Sequence, residues 1–201
     1  LSRGLEYAGW SEAVTETDPA LAKECVCIDF TTPDAFRANY RFLAENFKAV
    51  VVGTTGWADI RDEVVAYFEK CGTPMIWATN FSVGVNVFFA VTDYISKLLA
   101  DFGGYSPYMV EMHHCHKLDA PSGTAITLAE GILENLERKN KWVMGTLTAP
   151  DGTVSGSTEC EANELAINSI REGEVPGIHA IRYDSEADSI TITHDAKNRK
   201  G

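Results

Sequence analysis

The sequence predicts two dissimilar halves, a parallel α/β sheet followed by an α+β domain. Three observations predict this. From about residue 25 to residue 80, short apolar runs alternate with segments of helical periodicity. The apolar runs are nearly continuous and end in glycine-bounded or polar turns, as strands covered on both faces do. After residue 84 the order changes to long helices first and a cluster of strands last.

The elements follow in order. "CVCIDF" (25–30) reads as a strand, and "PDAFRANYRFLAENF" (33–47) as a helix with Phe36, Tyr40, Leu43 and Phe47 on one face and Pro33 in its first turn. "AVVVGTTG" (49–56) is a strand that breaks into a turn, "DIRDEVVAYFEKCG" (59–72) a helix closed by Gly72, and "PMIWATN" (74–80) a further strand. Strand, helix, strand, helix, strand at this spacing implies right-handed crossovers. "GVNVFFAVTDYISKLLADF" (84–102) is a long helix, "SPYMVEMHH" (106–114) a strand, and "SGTAITLAEGILENLERK" (122–139) an amphipathic helix. Residues 140–163 read as an exposed loop region. "ELAINSI" (164–170), "IHAIRYD" (178–184) and "DSITITH" (188–194) read as strands, the last two as an antiparallel hairpin.

Composition narrows the function. A net charge of −12 over 201 residues argues against nucleic acid as a partner. A local cationic pocket for an anionic small molecule remains compatible with that charge. No apolar run is long enough to span a bilayer, and "LSRGLEYAGW" lacks the basic and apolar regions of a signal peptide. Cys25, Cys27, Cys71, Cys115 and Cys160 form no CxxC pair and read as free thiols in a reducing, cytoplasmic setting. The start has no initiator Met, and the natural protein is expected to be longer than these residues.

Two turns carry binding signals. In "VVVGTTGW", Gly53 and Gly56 allow close backbone approach, and Thr54 and Thr55 offer hydroxyls and N–H groups at a strand's carboxyl end. "ATNFSVGVN" (78–86) follows the next strand with an amide at Asn80 and a helix cap at Ser82. Either can be a plain β-to-α turn; together they point to a shared cleft.

The densest stretch is "HHCHKLDAPSGTA" (113–125). If 107–115 is one strand, His113, Cys115 and Lys117 share a face, with His114 and His116 on the other. A metal site would use His114 and His116, but no third ligand, CxxC or HExxH accompanies them. An anion site explains more residues. Ser122, Gly123 and Thr124 open a helix whose first N–H groups point outward with the positive dipole end. Lys117 adds a charge, and a histidine there is a natural proton donor. Asp119 can fix the turn or orient a histidine. The lysine precedes the glycine, so this is no P-loop. A solvated loop before a capped helix is the third possibility.

These residues resemble the signature of bacterial 4-hydroxy-tetrahydrodipicolinate reductases, the dihydrodipicolinate reductases of lysine and diaminopimelate biosynthesis. "CIDFTTPDA", "VVVGTTGW" and "NFSVGVN" resemble the family's other motifs in the same order, and "SIREGEVPGIHAIRYDSEADSITITHDAKNRKG" resembles its carboxyl-terminal region, in wording similar to Bacteroides-like versions. The similarity runs from about residue 25 to the end. It implies a Rossmann-type dinucleotide-binding domain (1–83, incomplete at the amino terminus) and an α+β substrate-binding and tetramerisation domain (84–194). Residues 195–201 would return toward the first domain. It also implies a homotetramer, NADH or NADPH as cofactor, and a cyclic imine dicarboxylate as substrate.

By the same resemblance His113 is the candidate general acid, and Lys117 stabilises charge and binds a carboxylate. His114, Ser122, Gly123, Thr124 and Arg199 contact substrate. Gly53, Thr54, Thr55, Ala78, Asn80 and Phe81 line the nicotinamide side. No resident metal is implied. The family's glycine-rich dinucleotide turn and its final helix are missing here, and the residue that selects NADH over NADPH has no clear counterpart, Glu12 being the nearest candidate. A chain starting at Leu1 is therefore expected to bind cofactor weakly. A metal-dependent hydrolase built on the histidines and a non-catalytic member of the fold are the competing readings.

Overall fold

A computed structural model describes residues 6–11, 13–157 and 159–198. Expectations placed on Glu12 and Arg199 lie outside the described residues. The chain forms two units, Leu1–Thr79 and Asn80–Gly201.

In the first unit, a short helix α1 (Pro19–Ala22) precedes β1 (Val26–Asp29), α2 (Pro33–Asn46), β2 (Ala49–Val52), α3 (Arg61–Cys71) and β3 (Met75–Trp77). The strands pair in parallel in the order β1-β2-β3. Helix α2 starts where Thr32 accepts the Ala35 N–H at 3.3 Å and Pro33 occupies the first turn. Helix α3 stops at Gly72, whose φ of 70° suits glycine. A 3-10 turn, Ala58–Ile60, occupies what reads in the sequence as the start of α3.

Phe36, Tyr40, Leu43, Val50, Val52, Trp57, Val64 and Phe68 form this unit's core. Burying each large apolar side chain contributes roughly 1.5–3 kcal/mol. The expected covering of both sheet faces is not what the described residues form. Val26, Ile28 and Ile76 are exposed. Two successive right-handed crossovers in strand order 1-2-3 put both helices on the same face.

In the second unit, α4 (Val83–Leu99) and α5 (Gly123–Asn135) accompany β4 (Ser106–His113), β5 (Lys141–Thr148), β6 (Val154–Gly156), β7 (Glu164–Arg171), β8 (Ile178–Asp184) and β9 (Ser189–Asp195). The sheet order is β6-β5-β7-β4-β8-β9. β8 and β9 form the expected antiparallel hairpin. Met109, Leu128, Ile132, Leu165, Ile167, Ile181 and Tyr183 fill the core.

Three expectations are corrected. Residues 141–148 and 154–156 are strands, not loop: β5 runs parallel to β7 and carries β6 on its other edge. Its register shifts between Met144 and Leu147, and a side chain at Gly145 would collide with Asn168. That irregularity hides a strand from a period-2 reading. Helix α5 ends at Asn135, four residues early, where the Asn135 amide donates to the Gly131 carbonyl and to Asp93. Strand β4 ends at His113, so strand alternation does not reach Cys115 or Lys117; Cys115 and His116 lie in a turn.

Candidate active site

His113 is the last residue of β4, and Arg171, the last of β7, is its register partner. Glu111 lies two residues before His113, on the same face of the strand. All three are buried, with Glu111 only 1% exposed. Arg171 meets Glu111 in a two-point pair, Nη2 to Oε1 at 2.9 Å and Nη1 to Oε2 at 3.1 Å. His113 Nδ1 lies 2.5 Å from Glu111 Oε2. Burial opposes the Glu111 charge, but hydrogen bonds from His113 and Arg171 overcome it and hold the carboxyl down at about 2. The carboxylate is therefore ionised and accepts, so His113 Nδ1 carries the proton and donates. The free ring nitrogen is Nε2. It faces Gly177, where an added Cβ would sit 3.0 Å away.

The same guanidinium donates to the carbonyls of Asp119 at 2.6 Å and Lys117 at 3.3 Å. Lys117 Nζ pairs with Asp119 Oδ1 at 2.8 Å. Asp119 thus binds the lysine instead of orienting a histidine.

Beside His113 stands His179 of β8, its ring centroid 5.1 Å away in an edge-on contact. Burial, then the neighbouring His113 charge, pushes His179 down to about 3, so it is neutral near pH 7. Its Nε2 lies 3.0 Å from Ser122 Oγ. Ser122 caps α5 by accepting the Ala125 N–H at 3.2 Å. Nothing lies within 4 Å of a Cβ built on Gly123, so the space over the first turn of α5 is open. An orphan-donor helix end beside open space is suited to an anion. His114 is half-buried, its ring 6.0 Å from that of His116.

Of the predicted residues, the second unit therefore gathers His113, Lys117, Ser122, Gly123 and Thr124 at one end of its sheet and the start of α5. Periodicity does not single out Glu111, Arg171 or His179. The Glu-x-His spacing on one strand face is the one local signal for Glu111.

In the first unit, Gly53, Thr54 and Thr55 follow β2 and Ala78 follows β3, joined by the Ala78 N–H to Val52 carbonyl bond at 3.2 Å. An added Cβ on Gly53 would overlap the ring of the exposed Phe30, which would have to move aside. The buried Thr54 hydroxyl hydrogen-bonds Asp29 and accepts the Thr31 N–H at 2.8 Å. Thr54 therefore offers a ligand its backbone, while Thr55 is exposed. Asn80 belongs to the second unit, where its Oδ1 accepts the Ser82 N–H at 2.9 Å ahead of α4; Phe81 is exposed.

For the metal reading, one group among the described residues has metal-ligand spacing: Cys115, His116 and Glu174, with ligand atoms within 4.8 Å of one another. His116 and Glu174 are exposed and hydrogen-bond each other at 3.2 Å.

A family model for the dihydrodipicolinate reductase N-terminus matches residues 7–81, and one for its C-terminus matches residues 84–201. The chain belongs to the dihydrodipicolinate reductase family. Among curated relatives, the 4-hydroxy-tetrahydrodipicolinate reductase of Christiangramia forsetii is 39% identical over 88% of this chain and 68% of its own length. That of Chromohalobacter salexigens is 37% identical over 90% of this chain and 66% of its own. The chain thus spans about two thirds of these relatives. A solved dipicolinate-bound dihydrodipicolinate reductase from Paenisporosarcina sp. TG-14 superimposes with a TM-score of 0.57 at 26% identity, covering 87% of this chain and 63% of that one. The first unit is accordingly Rossmann-like, and the family uses a nicotinamide cofactor. The family does not favour a metal-dependent hydrolase.

Proposed function

We propose that this chain reduces 4-hydroxy-2,3,4,5-tetrahydrodipicolinate to tetrahydrodipicolinate, with the 4-hydroxyl leaving as water and NADH or NADPH giving the hydride, in lysine and diaminopimelate biosynthesis. One observation carries the site assignment: His113, His179 and Ser122 form a continuous contact that sets a proton donor beside an anion-binding helix start. A substrate with two carboxylates and a reducible ring needs both.

The residues of the first unit fit a dinucleotide. Gly53, Thr54, Thr55 and Ala78 follow the carboxyl ends of neighbouring parallel strands, where such ligands bind. Asn80 and Phe81 complete the proposed nicotinamide lining, and residues 1–83 form the proposed dinucleotide-binding domain. The bound nicotinamide supplies a hydride. In the substrate domain, proposed as residues 84–194, the N–H groups and hydroxyls of Ser122, Gly123 and Thr124 hold one carboxylate. Lys117 holds the other and stabilises the charge that develops on the ring, exchanging Asp119 for substrate. His113 delivers the proton from Nε2. His114 and Arg199 are proposed as further substrate contacts, Arg199 lying outside the described residues.

We further propose a homotetramer formed through the six-stranded sheet, on the face where Tyr108, Val110 and Met112 stand opposite the buried Met109, Glu111 and His113 of β4. The chain is proposed to work in the cytoplasm; its five cysteines are free. No helix among the described residues is long and apolar enough to cross a membrane.

Substitution tests the assignment. His113→Ala and Lys117→Ala each lower turnover by ~10² or more, the scale of a positioned proton donor or charge stabiliser. Near-normal turnover in either removes that residue from the mechanism.

A further inference from the structure

We propose that Arg171 is a positioning residue that makes one unit of the proton donor and the cationic loop: it orients His113 through Glu111 and holds Lys117 through the carbonyls of Lys117 and Asp119. The proposal rests on the site reading above and goes beyond it, since neither Arg171 nor Glu111 meets substrate in that reading.

The geometry supports two separate effects of one guanidinium. Two of its nitrogens clamp both carboxylate oxygens of Glu111, and that carboxylate accepts from His113 Nδ1. A carboxylate held at both oxygens cannot rotate, so the imidazole plane and its tautomer are set, and Nε2 is left for chemistry. Nη1 also donates to the Ile170 carbonyl at 2.8 Å, and two further hydrogen bonds, to the Lys117 and Asp119 carbonyls, run to the loop. These carbonyls flank the Lys117–Asp119 ion pair. The clamp is buried at both partners, 4% and 1% exposed, so water does not replace it.

The guanidinium also acts on charge. The titratable or charged groups against His113 are Glu111 on its own strand, Arg171 on β7 and the neutral His179 on β8; Lys117 and Asp119 stand on the following loop, which Arg171 holds by their carbonyls. The Glu111 carboxylate places a negative charge against His113 Nδ1, and the Arg171 guanidinium places a positive charge on both oxygens of that same carboxylate.

Arg171→Gln, Arg171→Lys and Glu111→Gln test this in the whole chain, alone and in His113→Ala and Lys117→Ala backgrounds. The readouts are kcat and KM against pH, with circular dichroism as the folding control. Arg171→Gln is expected to lower kcat ~10-fold or more, to raise KM for the dicarboxylate, and to move the alkaline limb of the kcat profile upward. Arg171→Lys recovers part of the loss. In each background the effect of Arg171→Gln shrinks, because groups acting as one unit do not add.

A full, additive loss in both backgrounds with an unmoved limb overturns the proposal and leaves a purely structural ion pair. Normal turnover in His113→Ala alone overturns the underlying site reading instead. Should Arg171→Gln fail to fold, Arg171→Lys and Glu111→Gln decide by the same two readouts.

Discussion

The His179 ring nitrogen Nε2 lies 3.0 Å from the Ser122 hydroxyl that caps helix α5, which joins the sheet to the helix start across 57 residues of sequence. The hydroxyl stands between the Ala125 N–H and a histidine that burial keeps neutral. Its rotamer is therefore fixed before any anion arrives, and ordering costs less on binding.

Loss of either partner is expected to weaken the dicarboxylate site. Ser122→Ala removes a hydrogen bond to a charged group and a helix cap, worth about 1.5–3 and about 0.5–2 kcal/mol. KM for substrate should rise ~10-fold or more, and His179→Phe should follow in the same direction by a smaller factor. Steady-state kinetics at saturating cofactor check this. Unchanged KM in both variants removes the helix start from carboxylate binding.

Stability should depend on acid through His179. Its folded value, about 3, lies below its ordinary 6.5, so the unfolded chain binds the extra proton in that window. Stability from this group is complete above pH 6.5 and is lost as pH falls toward 3. Glu111, held at about 2 against an ordinary 4.5, loses its contribution only below 4.5. Between pH 6.5 and 4.5 the melting temperature of the wild type should fall more steeply than that of His179→Phe. Parallel curves would contradict the assignment.

The two halves differ in how much of this was legible. The β-α-β-α-β order of the first unit follows from local patterns: the Phe36–Tyr40–Leu43 stripe, Pro33 and Gly72 each act within a few residues. β5 is invisible to that reading because its bulge and Gly145 answer to Asn168 on another strand. His113, Lys117 and Ser122 cluster in sequence and are readable as chemistry. Glu111 and Arg171 are 60 residues apart, and only the parallel β4–β7 register joins them.

Gly177 should be intolerant for a chemical reason as well as a steric one. Its φ of +154° disfavours side chains, and a methyl group there would stand 3.0 Å from His113 Nε2. Gly177→Ala is expected to cost about 1–3 kcal/mol of stability. It should also cut kcat by ~10-fold or more, by crowding the nitrogen proposed to deliver the proton. A folded variant with full kcat would show that Nε2 is not that nitrogen.

Gly53 tests the cofactor side independently. A Cβ there meets the exposed Phe30 ring, so Gly53→Ala shifts that ring or the turn after β2 on the proposed cofactor side. KM for NADH or NADPH should rise ~10-fold, with KM for the dicarboxylate little changed. Equal rises in both would mean general damage to the fold.

The most direct test of the function is the loss of nicotinamide absorbance, with NADH and then NADPH, on substrate generated in the cuvette by the synthase that precedes this step. Oxidation that requires substrate and collapses in His113→Ala and Lys117→Ala is the expected result. No substrate-dependent oxidation with either cofactor would contradict it, leaving the family's motifs on a chain that does not catalyse the reaction.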